Sequence, residues 1–240
     1  MKTVSVASTA VILLGLAGAH MEMSWPPPFR SRYNPFTTDI DYSMTNPLSS
    51  SGSDFPCKGY HELLDTAQGG SVVEWDAGQP YNFSVAGSAT HNGGSCQASL
   101  SYDKGATWTV IHSYIGNCPL EPVWEFTLPN DTPSGSALFS WSWFNNIGNR
   151  EMYMNCAHVT ISGSESTGIQ ARGPEDPFHG RPDMFVANVG NGCRTIEGAD
   201  VEFPEPGPDV DNISSKSAPP EGSCGASFAL NHRYAMAFRA

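Results

Sequence analysis

Short segments in which apolar and polar residues alternate fill the middle of the chain, between residues 71 and 162. Alternation with a period of two predicts β-strands, because successive side chains of a strand point to opposite faces of a sheet. Turn residues such as Gly93-Gly94 separate the segments. Strands of this number and spacing indicate an all-β chain folded as an antiparallel β-sandwich. The seven predicted strands are 71–76, 81–89, 96–102, 108–115, 123–128, 137–144 and 151–162.

The segments on either side of these strands have a different texture. Residues 20–56 are rich in Pro, Ser, Asn and Tyr and contain no apolar run of strand length, which predicts a long loop across one surface. Residues after 162 have a linker's composition, followed by a Pro- and acid-rich segment between Cys193 and Cys224. We expect one domain over residues 20–225, which includes an extension over 163–225, and then a tail over 226–240. Nothing in the pattern indicates a second hydrophobic core.

Residues 1–19 have the organisation of a secretory signal peptide. Lys2 precedes a short apolar run, and Ala17-Gly18-Ala19 has the form of a signal-peptidase site. The run is too short to span a bilayer. Cleavage after Ala19 would make His20 the first residue of a secreted, extracellular protein, with a free α-amino group.

Composition and charge narrow the class of function. The chain carries 24 acidic residues against 12 Lys and Arg, which argues against nucleic-acid binding, because a phosphate backbone requires clustered cations. Six cysteines in an exported chain predict three disulfides, and the count alone leaves every pairing open. Sequons at Asn82, Asn130 and Asn212 predict N-glycosylation, although Pro133 weakens the second. We expect a monomer that binds neither nucleic acid nor a membrane.

Two of the seven histidines have the setting of a metal ligand. An α-amino group has a pKa of about 8, so a metal deprotonates it readily and His20 can chelate through its amino nitrogen and its imidazole. His91 lies at the end of a predicted strand, before a Gly-Gly turn in which backbone can approach closely. Taken alone, His91 is more simply interpreted as a surface histidine in a turn. The α-amino nitrogen and the imidazoles of His20 and His91 would give three nitrogens in one plane. This arrangement suits Cu(II), whereas zinc prefers a tetrahedron.

The predicted strand 151–162 begins with a carboxylate and a phenol on one face. Glu151 and Tyr153 are two residues apart, so their side chains point the same way, while Met152 and Met154 point to the opposite face. In a copper site, a tyrosine oxygen would be a weak axial ligand, and a carboxylate beside it would orient a bound reactant. On its own, such a pair is common on strand surfaces.

Four motifs carry a resemblance to a known family: "HMEMSWPPPF" at 20–29, "GSDFPCK" at 52–58, "HNGGSCQASL" at 91–100 and "WSWFNNIGNREMYMNC" at 141–156. They resemble the fungal lytic polysaccharide monooxygenases of auxiliary activity family 11. The resemblance implies an immunoglobulin-like β-sandwich with one copper ion per chain in a histidine brace. It also implies an enzyme that uses an external reductant with H2O2 or O2. Its reaction hydroxylates a carbon at the glycosidic bond of chitin or a related β-1,4 polysaccharide.

Carried onto the matching positions, the resemblance implies roles for individual residues. His20 and His91 would be the copper ligands, and Tyr153 would be the axial residue. Glu151 would lie just outside the ligands and act in catalysis together with Tyr153. Ala89 matches the small residue that crowds the other axial side. The implied disulfides are Cys57–Cys156, Cys96–Cys118 and Cys193–Cys224.

Two other classes of protein remain open. A secreted copper-binding protein of the same fold would have both histidines and perform no oxidation. Such proteins tend to carry an additional carboxylate ligand in place of the axial tyrosine, so Tyr153 with Glu151 favours the enzyme. A disulfide-stabilised sandwich without a metal is the third possibility.

Overall fold

The structure, a computed structural model, describes residues 20–163, 178 and 180–225. The predicted signal peptide, the tail 226–240 and most of the linker lie outside these residues. The described part forms thirteen β-strands and one 3₁₀ helix, Cys57–Asp65, which lies between the first two strands. The strands are β1 (Met21–Trp25), β2 (Val73–Asp76), β3 (Pro80–Gly87), β4 (Gly94–Ser101), β5 (Thr109–Ile115), β6 (Val123–Thr127), β7 (Gly135–Asn145), β8 (Met152–Ser162), β9 (Cys193–Arg194), β10 (Asp200–Val201), β11 (Val210–Asn212), β12 (Ser217–Ala218) and β13 (Glu221–Gly222).

Two sheets enclose the main hydrophobic core, as a β-sandwich requires. The larger sheet has the strand order β11-β5-β4-β7-β8-β2, and the smaller has the order β1-β3-β6. Aromatic rings bridge the two sheets: Phe126 of β6 lies 5.6 Å from Phe139 of β7 and 5.5 Å from Trp75 of β2, measured between ring centroids. The seven predicted strands are all present, and the all-β prediction is confirmed. The larger sheet departs from antiparallel order only at its edges, where β11 and β2 run parallel to their neighbours.

The prediction of a loop over the whole of residues 20–56 is wrong at its start. Residues Met21–Trp25 form β1, which pairs antiparallel with β3 and places Met23 opposite Val85. The methionines of β1 are buried in the main core. Five alternating residues before a run of prolines give too short a pattern to show a strand in the sequence, and pairing with β3 supplies the hydrogen bonds that stabilise it. The rest of this segment is a loop, as predicted.

A second hydrophobic cluster lies on the opposite face of the larger sheet, where the sequence pattern indicated none. The extension packs there: the ring centroid of Phe185 lies 5.0 Å from that of Phe144 in β7 and 5.6 Å from that of Phe203. Met152 and Met154 of β8 reach the same cluster. The apolar residues of the extension are scattered singly among Gly, Pro and Asn, so they show no period in the sequence.

Three disulfides connect the loops and the extension to this frame. Cys57–Cys156 joins the 3₁₀ helix to β8, Cys96–Cys118 joins β4 to the loop after β5, and Cys193–Cys224 closes the extension. These are the pairs that the resemblance implies. Within the part of the chain that the structure describes, no helix has the length and apolar character needed to cross a membrane.

Candidate metal centre

His20 lies immediately before β1, where β1 pairs with the end of β3. The two chains are very close here, since a Cβ atom at Gly87 would lie 2.1 Å from the carbonyl oxygen of His20. Gly87 also has a φ of 148°, which L-residues with side chains rarely adopt. Glycine at this position therefore lets β3 fix the backbone of His20 against the sandwich.

His91 lies in a tight turn between β3 and β4. His91 and Asn92 both have positive φ values, 48° and 58°, and the amide of Gly93 donates a hydrogen bond of 2.8 Å to the carbonyl of Thr90. The indole N–H of Trp143 donates to the carbonyl of Gly93 at 3.3 Å. The turn thus holds the histidine in an uncommon conformation that the buried tryptophan supports.

The two histidines meet at this end of the sandwich. Their ring centroids lie 5.4 Å apart, and their planes are nearly parallel, at 17°. A carboxylate oxygen of Glu151 completes the cluster, because one ligand atom from each of the three residues lies within 4.8 Å of the others. All three residues are half-buried. The fold therefore brings together residues that are far apart in the sequence and that the sequence analysis selected.

One nitrogen of the cluster lacks a hydrogen-bond partner. Nε2 of His91 is buried and has no donor or acceptor in contact among the described residues. A buried polar atom left without a partner costs about 1–3 kcal/mol, so a bound group at this position would remove a penalty. Imidazole nitrogens suit copper, zinc, iron and nickel. The residues present fit a transition-metal ion.

Tyr153 of β8 contacts the cluster from the core side. Its ring centroid lies 5.7 Å from that of His20 and 4.3 Å from that of Trp143. Its hydroxyl donates a hydrogen bond of 2.6 Å to Oε2 of Glu151, so the two side chains meet on one face of the strand, as their spacing predicts. Burial, and then the hydrogen bond to Glu151, raise the pKa of Tyr153 far above its ordinary value. The phenol therefore stays protonated at neutral pH.

The loop between β7 and β8 holds Glu151 and contacts His91. The buried side chain of Asn145 accepts a hydrogen bond of 3.2 Å from the amide of Glu151 and donates one of 2.9 Å to the carbonyl of Ile147. The amide of Ile147 in turn donates to the carbonyl of His91 at 3.1 Å. Asn145 thus connects the residue that carries the carboxylate with the backbone of the second histidine.

The extension supports the other side of this loop. The side-chain amide of Asn188 donates to the carbonyl of Glu151 and to Oγ1 of Thr195, both at 3.0 Å. The carboxylate of Glu197 accepts a hydrogen bond of 3.1 Å from the amide of Gly148. Sequence reasoning missed Asn145 and Asn188, because residues that bond backbone groups follow no characteristic spacing.

The remaining candidates lie at the margin of this site or outside it. Ala89 is half-buried and comes two residues before His91, in the segment that leads into the turn. His112, a histidine outside the site, contacts Asp211 instead, with 3.1 Å between its Nε2 and Oδ2 of Asp211. A cavity of about 780 Å³ lies elsewhere, and no residue of the metal centre lines it.

Comparison with known proteins finds three related sequences. The chain is 53% identical over 195 residues to the AA11 family lytic polysaccharide monooxygenase A of Aspergillus fumigatus, covering 80% of this chain and 85% of the relative. It is 37% identical to an AA11 family lytic polysaccharide monooxygenase of Aspergillus oryzae, over 89% of this chain and 53% of that relative. It is also 37% identical to the AA11 family lytic polysaccharide monooxygenase B of Aspergillus fumigatus, over 90% of this chain and 55% of that relative. The chain thus spans about half the length of the last two relatives. No family model matches the chain.

Solved structures with a partial likeness include a cellulose-active polysaccharide monooxygenase from M. thermophila. The TM-score is 0.43 at 16% identity, over 70% of this chain and 94% of that one. An AA10 lytic polysaccharide monooxygenase from Streptomyces lividans gives a TM-score of 0.40 at 13% identity, over 59% and 99% of the two chains. Both TM-scores lie below 0.5, so the fold assignment rests on the strands and sheets described above.

Proposed function

The chain belongs to the AA11 family of lytic polysaccharide monooxygenases, and on this premise we propose that it is a secreted copper enzyme that cleaves chitin oxidatively. The proposal rests on two observations: the rings of His20 and His91 stack, and Nε2 of His91 has no hydrogen-bond partner among the described residues. Nitrogen ligands of this kind suit copper. We propose one copper ion per chain.

His20 and His91 would hold the copper, with Tyr153 next to them. Copper supplies one-electron redox chemistry when bound, with which H2O2 or O2 and an external reductant hydroxylate a carbon at the glycosidic bond. The α-amino group of His20 becomes a third nitrogen ligand only if the chain is cut after Ala19. Signal-peptide cleavage, and with it secretion to the extracellular space, is therefore part of the proposal.

Glu151 and Tyr153 would control the reactant side of the site. The hydroxyl of Tyr153 donates its hydrogen bond to Glu151. The lone pairs of the phenol oxygen therefore remain available to the cluster. The second oxygen of the Glu151 carboxylate is available to accept a hydrogen bond from a bound reactant. We assign Glu151 the orientation of that reactant, and Ala89 the role of leaving little room opposite the tyrosine.

Chitin is the substrate that the sequence motifs around the histidines favour. Three neutral residues are exposed in the turn of His91 and the neighbouring loop, namely Asn92, Ile147 and Asn149, and the acidic Glu197 lies at the edge of that loop. Amide side chains can hydrogen-bond the hydroxyl and acetamido groups of an uncharged polymer, and the isoleucine offers an apolar contact. These side chains are exposed and do not line the cavity of about 780 Å³, so a polysaccharide can contact them from solvent.

Mass spectrometry of the soluble products from chitin tests the proposal. Protein that begins at His20 is incubated with one equivalent of copper, ascorbate and H2O2, and copper-free protein is the control. We expect oxidised chitin oligosaccharides only with copper. Tight copper binding without oxidised products from chitin would favour the non-catalytic copper-binding protein instead. Oxidised products from another β-1,4 polysaccharide alone would exclude chitin as the substrate.

A further inference from the structure

Arg150 lies directly before Glu151, in the loop between β7 and β8, and its side chain turns away from the metal centre. Its guanidinium is half-buried between this loop and the extension. Nη1 donates to the carbonyl of Asn145 at 2.8 Å, and Nη2 donates to the carbonyl of Gly148 at 3.0 Å. Nη1 also reaches Oγ1 of Thr195 in the extension at 3.3 Å. One side chain therefore closes the loop on itself and fastens it to the extension.

The loop that Arg150 closes is in contact with the second histidine. The amide of Ile147 donates to the carbonyl of His91 at 3.1 Å, and a Cβ atom at Gly148 would lie 3.3 Å from Nδ1 of His91. The loop thus holds the backbone of His91 and passes beside its ring, with no side chain between them at Gly148. A shift of the loop would therefore act on His91 through the backbone hydrogen bond from Ile147.

Arg150 does not form an ion pair with the carboxylate next to it. Among the described residues, no carboxylate oxygen lies within salt-bridge distance of its guanidinium, although Glu151 and Glu197 are both close enough to act on it electrostatically. Its donors are used on carbonyl and hydroxyl oxygens instead. The carboxylate of Glu151 consequently remains free to bond Tyr153 and to face the histidines.

We propose that Arg150 is a positioning residue of the metal centre, which sets the placement of His91 and Glu151 by clamping the loop between β7 and β8. This inference rests on the proposed function, since placement matters only if His91 binds copper. The clamp depends on the planar, forked shape of the guanidinium, because several acceptors in different directions must be reached at once. Charge alone does not reproduce it.

The test compares Arg150→Lys, which keeps the charge and loses the fork, with Arg194→Lys as the matched control. Arg194 lies in the extension beside Thr195, but its side chain is exposed and, among the described residues, pairs with Glu221 alone. Thr195→Val is a milder second variant, which leaves the arginine in place and removes one acceptor of Arg150 together with an acceptor of Asn188. Asn188→Ala is its comparison, because it loses the Asn188 contacts and keeps Oγ1 of Thr195 for Arg150. If Arg150→Lys does not fold, the changes that Thr195→Val shows and Asn188→Ala does not carry the test.

Four measurements are made on each protein, and every protein begins at His20. In the metal-free state, hydrogen exchange reports the amides of Ile147 and Gly148, and ¹⁵N NMR reports the ring nitrogens of His91. Copper titration and the electron paramagnetic resonance spectrum of the Cu(II) form report the centre itself. For Arg150→Lys we expect faster exchange of the two amides and changed ¹⁵N chemical shifts of the His91 ring. We also expect an altered Cu(II) spectrum and a copper affinity that is 10- to 100-fold weaker, the usual effect of residues that orient a ligand. Thr195→Val should show the same changes to a smaller extent, and Arg194→Lys none.

Two results would overturn the positioning role. The first is faster amide exchange in Arg150→Lys with unchanged ¹⁵N shifts of His91, an unchanged Cu(II) spectrum and unchanged copper affinity. This result would show that Arg150 only stabilises the loop. Equal changes in the Arg194→Lys protein would show that the effect is not specific to the clamp. A wild-type protein that bound no copper would instead refute the proposed function, and the positioning role would fall with it.

Discussion

Removing the Cys57–Cys156 disulfide should destabilise the protein more than removing Cys193–Cys224. The first bridge joins residues that are 99 apart in the sequence, and the second joins residues that are 31 apart. A disulfide stabilises chiefly by restricting the unfolded chain, and the restriction grows with the logarithm of the loop length. The first bridge also has a functional position, because it connects the long N-terminal loop to β8, three residues after Tyr153.

The lengths of the two loops give the expected stabilisation free energy of each bridge. At 25 °C, the loop-entropy relation yields about 4.7 kcal/mol for the Cys57–Cys156 loop and about 3.7 kcal/mol for the Cys193–Cys224 loop. The Cys96–Cys118 bridge lies inside the longer loop and shortens its effective length, which lowers the first figure only slightly. Burial acts in the same direction as loop length, because Cys57 and Cys156 are each 2% exposed whereas Cys224 is half-exposed.

The assay is guanidinium chloride unfolding without reductant, on the wild type and on two double variants. Cys57→Ala with Cys156→Ala should lose about 1 kcal/mol more unfolding free energy than Cys193→Ala with Cys224→Ala. Coincident transitions by fluorescence and circular dichroism would show that each protein unfolds in one two-state transition. The m-values of the variants should rise, because their unfolded chains are less compact. A smaller loss from the longer loop, or a loss below about 1 kcal/mol, would refute the loop-entropy reasoning for this bridge.

Three further predictions concern individual side chains. Glu151→Ala should keep the Cu(II) affinity within about tenfold of the wild type and lower peroxide-driven chitin oxidation much further, whereas His91→Ala should lose both. Product analysis at saturating copper checks this, and wild-type oxidation by Glu151→Ala would exclude a catalytic role. Tyr153→Phe should shift the Cu(II) resonance spectrum modestly with copper still bound, because an axial oxygen is a weak ligand; complete loss of copper would contradict that assignment. Burial raises the pKa of Tyr60 from its ordinary 10.0 to about 12, so its contribution to stability is full below pH 10 and is lost as the pH rises towards 12. Tyr60→Phe should therefore reduce the alkaline fall in unfolding free energy, and an unchanged fall would show that this tyrosine does not titrate differently on unfolding.

The strands could be predicted from the sequence, but the environment of their polar faces could not. In β4, Cys96, Ala98 and Leu100 alternate with polar residues, which predicts one solvent-facing side. The structure buries that side as well: Gln97 is 0% exposed, donates to Oγ of Ser113 at 3.0 Å and accepts from the amide of Phe185 at 2.8 Å. The extension covers the polar face through hydrogen bonds, so the pattern that identified β4 also concealed the second core.

The candidate ligands were predictable for a different reason, since each has chemistry that its position makes unusual. His20 follows a cleavage pattern and His91 precedes a glycine turn, and both features are legible in the sequence. Asn145, Arg150 and Asn188 act through backbone carbonyls and amides that come together only in the folded chain. No spacing of residue types marks such contacts, so the frame of the site required the structure.

The most direct test of the copper site is a Cu(II) titration of two proteins that differ only at the N-terminus. One begins at His20 with a free α-amino group, and in the other that amino group is acetylated. If the α-amino nitrogen of His20 is a ligand, the first should bind one copper ion tightly. The acetylated protein should bind no better than His91→Ala, because each change removes one of three nitrogen ligands. Equal affinity of the acetylated and unacetylated proteins would contradict the histidine brace, whatever the activity of either protein.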